Sequence, residues 1–150
     1  MSNVSGTIKS IQDIMRKDVG VDGDAQRISQ MVWMFFLKIL GDREEEQELL
    51  DDDFQSPLPD RLRWRNWATD AEGITGDELL DFVNNELFPQ LNELPVSAGP
   101  QAPVIRNVFE DAYNYMKSGT LMRQVINKIN EIDFNSTDDR HTFGDIYEQI

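Results

Sequence analysis

Residues 27–40 carry Met31-Val32-Trp33-Met34-Phe35-Phe36-Leu37, an unbroken apolar run, followed by Lys38 and then Ile39-Leu40. Wound as a helix, Ala25, Ile28, Met31, Val32, Phe35, Phe36, Ile39 and Leu40, with Trp33, Met34 and Leu37 between them, go round the whole cylinder. A helix apolar on every side must be enclosed by other elements, so the run predicts a buried central helix over about residues 24–40. A membrane span needs about 20 mostly apolar residues. This run is shorter and is bounded by Arg27, Lys38, Asp42 and Arg43, which argues for core and against any membrane contact.

The flanking sequence supplies faces to enclose it. Ile8, Ile11, Ile14 and Met15 recur at three- and four-residue steps within residues 7–17, and that helix ends at Gly20-Val21-Asp22-Gly23. Asp24 stands where an N-cap would accept backbone N–H groups of the central helix. Gly41 weakens the helix where the apolar run stops, since Gly costs about 1 kcal/mol relative to Ala, with room for some helix beyond. Thr75-Gly76-Asp77-Glu78 has the capping-box pattern and precedes an apolar series at Leu79, Leu80, Val83, Leu87, Leu91 and Leu94. Pro89 falls inside that series and predicts a kink or break near Phe88. Ile105, Val108, Phe109, Ala112 and Met116 form another face, closed by Ser118-Gly119. Thr120 is then placed to cap a helix bearing Leu121, Met122, Val125, Ile126, Ile129 and Ile132. No segment alternates at period two for long enough to require a strand. The reading is an all-α single domain over residues 1–150, about six or seven helices packed around the central one.

Charge narrows what such a domain does. Fourteen Lys and Arg against 28 Asp and Glu give a formal net charge of −14, which repels phosphate polyanions at a distance. The absence of cysteine excludes a disulfide framework, a thiolate metal site and a Cys nucleophile, and fits a reducing cytoplasm. Eight acids crowd residues 42–53 against the single Arg43. They read as a solvated helix end and loop or, since oxygen ligands suit hard cations, as a metal site; the run lacks the order of a calcium loop, and no metal site is expected. The one basic cluster is Arg61-Leu62-Arg63-Trp64-Arg65-Asn66-Trp67. Its interleaved Arg and Trp could contact phosphates and stack on bases. The preferred reading is that Trp64 and Trp67 pack on the core while the arginines pair with the nearby acids. The lone histidine, His141, lies in a polar stretch, and the scattered glycines make no phosphate-cradling turn. The residues alone offer no catalytic, cofactor or metal site.

The order of segments says more. The Ile8–Lys17 helix, Arg27-Ile28-Ser29-Gln30-Met31 leading to Phe35-Phe36-Leu37-Lys38-Ile39-Leu40, Ile132-Asp133-Phe134 and Phe143-Gly144-Asp145-Ile146-Tyr147-Glu148 run in sequence along nearly the whole chain. In this it resembles the N-terminal helical domain of the modification (methyltransferase) subunit of type I restriction-modification systems, a group of adenine-specific DNA methyltransferases. The resemblance implies a full protein that uses S-adenosylmethionine to methylate an adenine amino group, with a specificity subunit, a restriction subunit and DNA as partners in the cytoplasm. The family's Asn-Pro-Pro-Phe/Tyr and glycine-containing cofactor motifs have no match here, so the catalytic domain is expected after residue 150. Phe143 to Ile150 ends on an apolar residue without capping chemistry, which agrees with a chain that continues. Under this reading the domain helps assemble the complex and close it around DNA, with Arg61, Arg63 and Arg65 the candidate DNA or partner contacts. The alternative is a free-standing acidic helical adaptor, or a DNA mimic whose acids occupy another protein's phosphate site.

Overall fold

The computed structural model describes residues 4–135, and every regular element within them is helical. α1 (Val4–Met15) leads into α2 (Gly23–Leu50), a 3₁₀ turn (Asp60–Leu62) and the single-turn α3 (Trp64–Trp67). α4 (Gly76–Phe82), a π-helical turn (Val83–Leu87) and α5 (Phe88–Asn92) follow one another without a break. A second 3₁₀ turn (Val96–Ala98), α6 (Ala102–Asp111) and α7 (Gly119–Ile129) complete the described fold. His141 and residues 143–150 lie outside it.

The apolar run is the middle of α2. Trp33, Met34, Phe36, Leu37, Ile39 and Leu40 are each at most 2% exposed. Burying a side chain of this size contributes about 1.5–3 kcal/mol. Their rings reach three different segments: Trp33 meets Phe88 of α5 edge-on at 4.8 Å between centroids, Phe36 meets Phe109 of α6 at 6.2 Å, and Phe35 meets Phe134 at 6.0 Å. A second buried helix, α7, lies beside it. Met122, Val125, Ile126 and Ile129 are fully buried there, and α1 and α4 pack on α7.

The expectations for α2 need three corrections. It uses the room left beyond Gly41 in full, running past the expected residue 40 to Leu50. Gly41 marks a contact, since a Cβ there would lie 3.3 Å from Trp64 Cβ and hold α3 off the helix. The N-cap position is Asp22, whose backbone N–H donates to Gln26 Oε1 at 2.7 Å, while Asp24 lies in the first turn and pairs with Arg27. The helix is also not enclosed all round from its start. Ile28 and Val32 are 55% and 42% exposed, because neighbouring segments cover only the face with Gln30, Met31 and Met34.

Elsewhere most of the apolar faces hold, Ala112, Met116 and Ile132 falling outside their helices, and the punctuation shifts. Pro89 perturbs the rod as expected, but the chain stays helical. It lacks one N–H, and the wider π turn just before Phe88 absorbs the mismatch while Leu79, Val83, Leu87 and Leu91 stay buried. Thr75 is the N-cap residue of α4 without a capping box; its hydroxyl donates to the Gly119 carbonyl at 3.5 Å. There the starts of α4 and α7 touch backbone to backbone, since a Cβ on Gly119 would fall 1.8 Å from the Gly76 carbonyl oxygen. α6 ends at Asp111, so Met116 is not on its face; residues 112–118 are non-helical and cross to α7. The α7 cap is Ser118, which accepts the Leu121 N–H at 3.1 Å, and not Thr120.

Candidate functional site

The basic cluster sits where the second half of α2 meets α3. Trp64 and Trp67 are 4% and 7% exposed and stack edge to face at 5.2 Å. Their indole N–H groups donate to Asn130 Oδ1 at 2.8 Å and to the Leu62 carbonyl at 3.1 Å, so each ring is also fixed by a hydrogen bond. Phe82 of α4 lies 5.2 Å from Trp67. With the tryptophans turned inward, Arg61, Arg63 and Arg65 are left to reach acids on neighbouring segments.

Each arginine finds an acid. Arg63 Nη2 donates to Glu48 Oε1 at 2.7 Å and its Nε lies 3.5 Å from Glu44 Oε1. Arg65 Nη2 donates to the other Glu48 oxygen at 2.8 Å, so one carboxylate bridges two guanidiniums. Arg61 stands apart on Glu86, with Nε at 2.8 Å and Nη2 at 2.7 Å, over the ring of Phe82. Exposure separates the three further: the Arg61 side chain is 69% exposed, Arg65 35% and Arg63 13%.

The acid run therefore does more than solvate a helix end. Glu44 is 2% exposed and Asp42 7%, while Leu49 and Leu50 are turned to solvent. Burial pushes the Glu44 carboxyl up, against the opposing hydrogen bond from the Ser56 hydroxyl and the charges of Arg63 and Arg65. Burial also raises Asp42, although Lys38 Nζ donates to its two oxygens at 2.5 and 2.6 Å and the Phe134 N–H at 3.0 Å. Glu48 moves the other way, held down by hydrogen bonds from Arg63 and Arg65. For Arg63, burial opposes the charge, but the Glu48 hydrogen bond and the charges of Glu44, Glu48 and Asp60 outweigh it and raise the pKa. A cleft of about 540 Å³ opens beside these groups, lined by Lys38, Asp42, Trp64, Arg65 and Asn130 among others. Among the described residues no three His, Asp or Glu side chains are grouped to hold a metal ion, and no helix is long and apolar enough to cross a membrane.

Four buried polar residues escaped the sequence reading. Arg123, 5% exposed, donates to the carbonyls of Trp67, Ala68, Asp70 and Ile74 at 2.9–3.1 Å, and burial lowers its pKa. It clamps the loop behind α3. Asp18, Gln30 and Asn114 hold residues 112–118. Little in local spacing marks these residues, because the partners that bury them, such as Lys117 and Ser118 for Asp18 and Tyr115 for Gln30, lie in another part of the chain.

The arrangement fixes α3 on α2, and the fold that carries it is shared with known proteins. Residues 4–129 match the family described as the HsdM N-terminal domain. The chain is 61% identical over 150 residues to the type I restriction enzyme EcoEI methylase subunit of Escherichia coli, covering 99% of this chain and 31% of that protein. Among solved structures, a type I restriction enzyme modification subunit from Vibrio vulnificus superposes with a TM-score of 0.83 at 38% identity, over 96% of this chain and 33% of that one. A chain from a structure of a type I restriction-modification system, determined to explain complex assembly and conformational transition, gives 0.79 at 33% identity over 97% of this chain and 29% of that one. The chain thus spans 29–33% of the length of these relatives.

Proposed function

The chain belongs to the HsdM N-terminal domain family, that of type I modification subunits, and from this premise we propose that it helps assemble the type I complex and close it around DNA. In this reading the whole protein is a cytoplasmic adenine-specific DNA methyltransferase. A domain beyond residue 150 binds S-adenosylmethionine, and specificity and restriction subunits are its partners. The observation that carries the reading is the superposition of this chain on a third of a type I modification subunit at a TM-score of 0.83. The helical domain acts by holding a surface against DNA while the target base is taken out of the stack, a step that costs a few kcal/mol.

The three arginines enter this proposal unequally. Arg61 is exposed and could exchange Glu86 for a phosphate, whereas Arg63 would have to leave Glu48 and a buried Glu44. The matched relatives lend nothing to a free-standing adaptor or a DNA mimic.

Removing residues 1–150 from the full-length subunit tests the reading. S-adenosylmethionine should still bind the remaining chain, while DNA affinity and methyl transfer by the assembled complex fall at least tenfold. Unchanged DNA affinity and methylation would refute it.

A further inference from the structure

Folding assembles a basic corner that the sequence order hides. Asp18, 3% exposed and just beyond α1, accepts the backbone N–H of Lys117 at 2.9 and 3.1 Å and of Ser118 at 2.9 Å. It also accepts the Gly20 N–H at 2.8 Å. The backbone at Lys17, next to Asp18 in the chain, is thereby brought to the segment that carries Lys117, one hundred positions later. The Lys117 stem lies over Gly20, where a Cβ would come within 2.6 Å of Lys117 Cγ and 2.1 Å of the Tyr115 carbonyl oxygen.

The segment that carries Lys117 is pinned from beneath. Gln30 Oε1 accepts the Tyr115 N–H at 2.8 Å, Gln30 Nε2 donates to Asn114 Oδ1 at 3.0 Å, and Asn114 Oδ1 accepts the Met116 N–H at 3.2 Å. Asn114 and Met116 are buried, while Tyr113, Tyr115 and Lys117 alternate with them on the outer side. The two tyrosine rings stack edge to face at 4.8 Å, and Lys117 Nζ lies 5.9 Å from the Tyr113 ring centroid.

This corner differs from the arginine cluster in its charge state. Lys17 and Lys117 are exposed, and neither forms an ion pair among the described residues. Nearby Arg16 is held by Asp13, as Arg61, Arg63 and Arg65 are held by Glu86, Glu44 and Glu48. An ammonium without a carboxylate gains from meeting a phosphate and releases counterions on doing so; a guanidinium already on a carboxylate exchanges one anion for another.

We infer that Lys17, Lys117 and the Tyr113 hydroxyl are where this domain meets the phosphate backbone of duplex DNA, an inference that rests on the reading that the domain closes on DNA. Lysine and tyrosine hydroxyl groups contact phosphates without reading sequence, which suits a domain whose partner subunit selects the site. The three buried polar side chains below keep the backbone in one conformation before DNA arrives, so little ordering entropy is lost on contact. The acidic remainder of the chain keeps the polyanion off other faces.

DNA binding by the assembled full-length enzyme, measured across a salt series, tests this. Lys17→Gln with Lys117→Gln should lower the slope of log affinity against log salt by about 1.8, at about 0.9 per phosphate lost. Tyr113→Phe should weaken binding about fivefold at every salt concentration, the effect of one hydrogen bond. All three side chains are at the surface, and an unchanged thermal midpoint verifies folding. An unchanged slope in the double variant, with a lowered slope in Arg61→Gln, refutes the corner and leaves the domain on DNA by another face. An unchanged slope in both variants and in the enzyme lacking residues 1–150 refutes the underlying reading as well.

Discussion

Both halves of α2 bury side chains, but by different physics. Over residues 33–37 the helix is enclosed by rings and aliphatic chains, and the deeply buried Gln30 before them is uncharged and hydrogen-bonded. Over residues 38–48 it buries Lys38, Asp42 and Glu44 and uses Glu48 to bridge Arg63 and Arg65. Apolar enclosure gives the first half its stability. The second half gains less from its charges, because desolvation offsets much of the attraction within a buried pair, and its yield is a fixed position for α3.

Phe36→Asp should have the largest effect on the apolar half. An unpaired carboxylate at a site 2% exposed costs several kcal/mol, against a total stability of about 5–15 kcal/mol for a domain. The cooperative thermal transition followed by circular dichroism should disappear. A folded but inactive protein would mean that Phe36 belongs to a functional surface and not to the core.

Gln30→Leu comes next. It strips the partner from the Tyr115 N–H and one of two donors from Asn114 Oδ1, and should cost about 1–3 kcal/mol in urea unfolding, with faster amide exchange confined to residues 112–118. Unaltered exchange there would show that the segment is held by something other than its buried amides.

The charged half should answer to pH in two opposite senses. The folded pKa of Glu44 is raised by burial, so its contribution is complete below the ordinary value of 4.5 and is lost as pH rises through the raised value. The folded pKa of Glu48 is lowered by its arginines, so its contribution is complete above 4.5 and is lost as pH falls. At pH 7, Glu48→Gln should lower the unfolding midpoint by a few degrees, an effect that vanishes in acid. Glu44→Gln should leave the pH 7 midpoint unchanged or raise it. Equal losses from the two substitutions would show that Glu44 gains more from Arg63 than it loses to burial.

The same contrast explains how much the sequence made legible. The apolar faces could be read, because helical periodicity is local: Leu79, Val83, Leu87 and Leu91 are buried on the rod as their spacing requires, and so are Val125 and Ile129 on α7. Residues 112–118 misled for the converse reason. Ala112 and Met116 continue a helical spacing, but Gln30 and Asp18 offer backbone N–H groups partners that a helix would not need, and the segment takes them. Caps shifted by two residues at Asp22 and Ser118, where a choice among adjacent polar residues is made by tertiary contacts. The pairing of Arg63 and Arg65 with acids was one of two readings the composition allowed. The partner of Arg123 could not be read at all, since carbonyl groups leave no mark in sequence.

The arginines beside Trp64 hold the fold, and Arg63→Gln tests that role in stability and in DNA binding together. This variant should have a lower unfolding midpoint, with the salt dependence of DNA binding by the assembled enzyme unchanged. An unchanged midpoint with a salt slope reduced by about one would contradict it and make Arg63 a phosphate contact.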